Sequence, residues 1–163
     1  ILKKKIKNLI TIIIPRHAER YSTIKNDLEK LNLKVHLDKP TKKISFNTDI
    51  YLVNSYGKTK SFYKNCNNIF LGGSLIKHGG QNPLEAARYG CSIINGPNVH
   101  NFKEIYEFLK KNNISTNIKK NKELTNQLNI LFSKQSNSKM IQNKIKILGD
   151  KILKKTYDEI FIR

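Results

Sequence analysis

Four short stretches gather the residue types that could handle a phosphorylated ligand: PRHAER (15–20), NSYGK (54–58), GGSLIKHGGQNPLE (72–85) and NGPN (95–98). Arg16, beside Pro15, carries a planar guanidinium suited to a bidentate contact with phosphate or carboxylate. Tyr56 and Gly57 offer an aromatic wall and a bare backbone N–H, with Lys58 as a neighbouring cation. Asn82, Pro83 and Glu85 read as N-cap, first helical position and third position of a helix that continues through Leu84, the pattern of a capping box. The free N–H groups of that helix start attract phosphate. Alternatively, Glu85 turns outward and accepts from a pair of ribose hydroxyls. Both readings put a nucleotide in the same place, and the bland reading makes these residues an ordinary helix start.

Gly72, Gly73, Gly79 and Gly80, with Ser74 between the pairs, lie just before that helix. Each glycine costs backbone entropy on folding, so a cluster of four asks for a reason. At least one is expected at positive φ, or with its bare backbone against a ligand. Arg16 and Arg20 also read simply as solvated charges, and His17 is expected to pack. A Walker loop, a spaced G-x-G-x-x-G and a recognisable nucleophile triad are all missing from the sequence. That argues against kinase-like or hydrolase chemistry.

Placing these stretches requires the elements between them. LITIIIP, LKVHL, IYLVN, NIFL, CSII and the apolar piece at 114–118 read as strands. Helices are expected from Tyr21 to Leu31, Lys58 to Asn65, Asn82 to Tyr89 and Asn101 to Lys111, with a polar loop from Asp38 to Asp49. Strands alternating with helices imply an α/β domain with a parallel sheet flanked by helices. In such sheets ligands bind outside the carboxyl ends of the strands, and all four stretches above follow strand ends. Beyond Asn121 the pattern is wholly helical. The expected organisation is a Rossmann-like domain over 1–120 and C-terminal helices over 121–163, packing on it or toward a further domain.

Composition bounds the partners. The 163 residues carry a formal net charge of +19, with 31 Lys and Arg against 12 Asp and Glu. Only Arg16, Arg20, Arg88 and Arg163 are arginines, and the lysines are spread along the chain. Specific nucleic-acid readers concentrate arginine, so this charge reads as compositional bias, with nucleic acid not expected as a partner. It also suits an anionic membrane surface. Cys66 and Cys91 form no metal-binding or disulfide pattern, and the four histidines lack ligand spacing, so no metal is expected. No apolar run reaches membrane-spanning length. The chain opens at Ile1 and its one methionine is Met140, so it reads as part of a longer protein.

PRHAER, the YG pair before a short helix, and FLGGSLIKHGGQNPLEAARYGCSIINGPNVHNFKEI, in that order, resemble the C-terminal domain of the 3-deoxy-D-manno-octulosonic acid (Kdo) transferases of lipid A biosynthesis. The resemblance runs from about Ile10 to Leu109. It implies the nucleotide-binding half of a GT-B glycosyltransferase that takes Kdo from CMP-Kdo, inverts the anomeric centre, and needs no metal or other cofactor. The acceptor is the lipid A precursor at the cytoplasmic face of the bacterial inner membrane. Carried over residue by residue, the CMP contacts are Pro15, Arg16, Tyr56, Gly57, Lys58, Asn82, Pro83, Leu84 and Glu85. Gly72, Gly73, Ser74, Gly79 and Gly80 are further candidates. Lys58 stands where many members carry glutamate, Ala18 where proline is usual, and Gln81 where histidine is common. The family's catalytic carboxylate belongs to an N-terminal half, so no catalytic residue is expected here. Other readings are a different GT-B nucleotide-sugar enzyme, such as an epimerase, and a basic nucleic-acid-binding domain.

Overall fold

The computed structural model describes residues 2–39 and 43–161, which form two compact units, Ile1–Thr59 and Lys60–Arg163. In the first unit, a short helix α1 (Leu2–Lys5) precedes strand β1 (Thr11–Ile13). Pro15 has no backbone N–H to donate, so the LITIIIP strand ends before it. A 3-10 turn (Ala18–Arg20) leads into helix α2 (Tyr21–Lys30), then strands β2 (Val35–Leu37) and β3 (Ile50–Leu52). The strands pair in parallel in the order β1-β3-β2, with Ile13, Leu52 and Leu37 in register at their carboxyl ends. Ala18, Ile50, Leu52 and Val53 are buried. Tyr21, Ile24 and Leu28 of α2 are half-buried as their spacing predicts. Leu31 instead caps the helix and is exposed, because Asn32 takes a positive φ of 58° and turns the chain away.

Helix α3 (Thr59–Asn65) starts on the last residue of the first unit, and the second unit then runs β4 (Asn68–Leu71), α4 (Leu84–Arg88), β5 (Ser92–Asn95), a 3-10 turn (His100–Phe102), α5 (Lys103–Lys111) and β6 (Ser115–Asn117). These are two successive strand–helix–strand crossovers, and the sheet order β4-β5-β6 follows the chain. The three strands end level, Leu71 opposite Asn95 and Asn95 opposite Asn117. Leu71, Ile93 and Ile114 join Ala86, Ala87, Tyr106 and Leu109 in one core.

The segment expected to be helical forms α6 (Asn121–Ser133) and α7 (Ser138–Phe161). Ile141 and Ile145 bury α7 in that same core, and Gln142 donates a 3.0 Å hydrogen bond to the Tyr89 carbonyl. Further along the face that Ile141 and Ile145 begin, Leu148 is half-buried and Ile152 exposed. The expected α/β architecture, with parallel strands and flanking helices, is present in both units.

Candidate functional site

Parallel pairing in register gives each unit its own carboxyl edge, and the chemistry-bearing stretches leave from these edges. In the first unit, Pro15 and Arg16 follow β1, Asp38 follows β2, and Tyr56, Gly57 and Lys58 follow β3. Arg16 is exposed and makes no ion pair among the described residues. Pro15 is half-buried. His17, expected to pack, is exposed instead, its Nδ1 3.6 Å from a Glu19 carboxylate oxygen. The buried anchor of that turn is its neighbour Ala18, small enough to fit.

Tyr56 donates a 2.5 Å hydrogen bond to Glu19 while its ring stays largely exposed. That bond raises the Tyr56 hydroxyl above its ordinary value and lowers the Glu19 carboxyl. Gly57 has φ of 79°, and open space surrounds its Cα where a side chain would stand. Its backbone is therefore bare to solvent.

Lys58 is not a free cation. Its ammonium donates to Asp38 at 2.5 Å, and the other Asp38 oxygen accepts from Tyr51 at 2.6 Å. Asp38 is buried, which pushes its pKa up. The hydrogen bonds from Lys58 and Tyr51 outweigh that and hold the carboxyl below its usual range. Burial, together with the bond to Asp38, pushes Tyr51 up to about 12.

The sign of the resulting pH dependence follows from Asp38. An unfolded aspartate titrates near about 3.9, and the folded one below it. The stability Asp38 contributes is therefore complete above that value and is lost as pH falls through the folded pKa. Asp38→Asn should unfold about 1–3 kcal/mol more easily at pH 7. The gap from the parent should close progressively below about pH 4. Thermal melts followed by circular dichroism across that range measure it, and a gap that stays constant with pH would refute the assignment.

In the second unit, the glycine loop leaves β4 and closes on itself, the Gly80 N–H donating to the Gly73 carbonyl at 3.2 Å. Gly73, Gly79 and Gly80 all have positive φ, between 72° and 89°, as the cluster led one to expect of at least one. Gly72 is half-buried without such strain. Ser74 is fully buried, its hydroxyl donating to the Leu71 carbonyl at 2.6 Å and accepting the Gly96 N–H at 2.8 Å. It ties the glycine loop to the NGPN turn after β5.

The start of α4 corrects the expected capping box. The Pro83 carbonyl accepts the first helical bond, from Ala87, which makes Pro83 the backbone N-cap. Asn82 stands one residue earlier and accepts the Leu84 N–H at 3.0 Å, an Asx turn. Glu85 thereby falls at the second helical position, too early for the reciprocal bond to the Asn82 amide. Glu85 is exposed and its carboxylate accepts no hydrogen bond among the described residues, Pro83 is fully buried, and Leu84 is half-buried.

Comparison with known proteins adds descent to this geometry. No family model matches the chain. A 3-deoxy-D-manno-octulosonic acid transferase of Haemophilus influenzae is 34% identical over 108 residues, covering 66% of this chain and 25% of the relative. The same enzyme of Rickettsia bellii is 31% identical over 142 residues, 87% of this chain and 34% of the relative. The chain belongs with the 3-deoxy-D-manno-octulosonic acid transferases. It spans between 25% and 34% of the length of these two relatives. A solved structure of the C-terminal CMP-Kdo binding domain of WaaA from Acinetobacter baumannii superposes with a TM-score of 0.79 at 23% identity. That likeness covers 89% of this chain and 76% of the other, and it shows a shared fold.

Two residues beside the candidate segments escaped the sequence reading. Asp38 stands in a stretch read as a polar loop, and the contact that fixes Lys58 spans twenty positions. Ser55, next to Tyr56, has a buried hydroxyl with no hydrogen-bond partner among the described residues. Neither feature leaves a local sequence signal. The described residues contain no cluster of His, Cys, Asp and Glu able to hold a metal ion, and no helix long and apolar enough to cross a membrane.

Proposed function

We propose that this chain is the donor-binding part of an inverting GT-B glycosyltransferase that moves Kdo from CMP-Kdo to the lipid A precursor. The reading rests on one observation above all: across 87% of its length the chain aligns with an enzyme named for this transfer. In it, Arg16 grips the CMP phosphate, since its guanidinium is exposed and pairs with no carboxylate among the described residues. Gly57 adds a bare N–H, and Tyr56 a ring wall held at its hydroxyl by Glu19. Lys58, whose charge is shared with Asp38, contributes a remaining N–H rather than a full free charge. Glu85 accepts from ribose hydroxyls. Asn82, Pro83 and Leu84 shape the turn that presents Glu85, and the glycine loop with Ser74 supports that turn.

The reaction as proposed uses neither metal nor cofactor. Its partner is an N-terminal half that brings the catalytic carboxylate, working at the cytoplasmic face of the inner membrane.

Calorimetry with CMP tests the site. Arg16→Ala and Glu85→Ala should each weaken CMP binding by about 1.5–3 kcal/mol, roughly ten- to hundred-fold, as expected for losing a charged hydrogen-bond partner. UDP should bind more weakly than CMP. Parent-like CMP affinity in both variants would sink the assignment.

A further inference from the structure

The distal half of α7 is amphipathic, yet none of the described residues covers its apolar side. Ile152, Leu153, Tyr157, Ile160 and Phe161 are each between 56% and 69% exposed. At 3.6 residues per turn these five fall on one side of the helix, with Lys151, Lys154, Lys155, Asp158 and Glu159 on the other. The rings of Tyr157 and Phe161 already lie together on that side, their centroids 4.7 Å apart. A contiguous apolar side left in water marks an interaction surface.

Charge says what kind of partner fits it. The whole chain carries a net charge of +19, so two copies repel over most of their surface. The segment from Asp150 to Phe161 departs from that balance. Lys151, Lys154 and Lys155 are matched there by Asp150, Asp158 and Glu159. A neutral, apolar segment is where a second copy meets the least repulsion. An anionic lipid or polymer finds no excess of positive charge on it.

The order of those charges fixes a direction. Lys154 and Lys155 precede Asp158 and Glu159, so the sign reverses about a point between Thr156 and Tyr157. A second α7 laid antiparallel about that point sets Lys154 level with Glu159 and Lys155 level with Asp158. It also sets Leu153 level with Ile160, and Ile152 with Phe161. A parallel copy in the same register would instead set lysine against lysine and acid against acid. Reversed pairing corrects a second imbalance as well. The last turn of α7 holds acids and no basic residue among the described residues, although the carbonyl end of a helix favours cations. Within one copy, the described residues of this segment offer only the exposed Lys155–Glu159 pair, 3.7 Å apart, a contact of little worth. The lysines of a reversed copy supply the missing positive charge.

We propose that α7 pairs with α7 of a second copy of this chain, antiparallel and two-fold symmetric, through the side carrying Ile152, Leu153, Tyr157, Ile160 and Phe161. Such an interface is isologous, the same patch serving both copies. None of the proposed CMP contacts takes part, so the two readings stand or fall separately.

Sedimentation equilibrium of the 163-residue chain, from about 5 μM to about 500 μM, tests it. The mass should rise from that of one copy toward that of two. Leu153→Gln/Ile160→Gln changes only exposed positions, and far-UV circular dichroism checks that the helix persists. It should weaken association roughly ten-fold or more. Lys154→Glu/Lys155→Glu should weaken it about five-fold or more, and adding Asp158→Lys/Glu159→Lys to that variant should restore it. The pairing is overturned if the chain stays a single copy throughout, or if the glutamine or glutamate variant associates like the parent. It is equally overturned if the fourfold reversal fails to restore association. Binding to vesicles of phosphatidylcholine and phosphatidylglycerol by a chain that remains a single copy, lost in Leu153→Gln/Ile160→Gln, would give the face to lipid and overturn it too.

Discussion

Residues 1–163, supplied with CMP-Kdo and a lipid A precursor, are expected to transfer no sugar in a radiolabel assay. Inverting transfer needs a base within hydrogen-bond reach of the acceptor hydroxyl, with a pKa high enough to take its proton. The carboxylates near the candidate segments are poor bases. Asp38 is held below the usual range despite its burial, by Lys58 and Tyr51. Glu19 is lowered chiefly by the Tyr56 hydroxyl, and Asp49, at the amino-terminal end of β3 and so away from the carboxyl edge, by its contact with Lys3. The Glu85 carboxylate is uncommitted among the described residues but is claimed by the ribose in the proposed reading.

The relatives that carry the activity are also three to four times longer than the stretch aligned here. Adding the N-terminal half, fused or as a separate chain, should bring transfer from undetectable to measurable. Turnover by this chain alone would defeat the half-enzyme reading and send the search for a base back to Glu85.

Gly96→Ala should destabilise the second unit by about 2–4 kcal/mol, at the upper end for overpacking. A β-carbon there would stand 2.3 Å from the Ser74 carbonyl oxygen and 2.6 Å from the Leu75 nitrogen, both backbone atoms. Those atoms have little freedom to withdraw. The Ser74 carbonyl accepts two bonds from Asn98, and the Ser74 hydroxyl bridges Leu71 and Gly96 itself. In a unit of this size each kcal/mol lowers Tm by roughly 4–8 °C, so a fall of roughly 10 °C or more is expected. Gly72→Ala supplies the control, because a β-carbon there meets nothing within 4 Å. Equal melting temperatures for the two variants would show that the loop yields more easily than its hydrogen bonds indicate.

The Ser74–Gly96 contact also marks where sequence reasoning stops. GGS and NGP are both visible as glycine-bearing turns after strands, and both were placed at a sheet's carboxyl edge on that ground alone. That one pins the other through a buried serine joins residues 22 positions apart. The NPLE segment shows the same limit at shorter range. Its residues are all helix-start types, but the register of one carbonyl decides between a capping box and an Asx turn. Moving the N-cap from Asn82 to Pro83 is what leaves the Glu85 carboxylate without a partner among the described residues.

The sequence by itself determined the order and type of the six strands and most of the helices. Apolar periodicity and turn residues act over a few positions, and those forces are local. It also carried the resemblance to the Kdo transferases, since ordered motifs survive in the chain whatever their packing. Only the tertiary structure decided that Lys58 is tied to Asp38 and that Ser74 is structural cement. Each of these depends on residues brought together by parallel strand pairing across long stretches of chain. Charge, burial and hydrogen-bond partners are properties of such a meeting, and no single segment holds them.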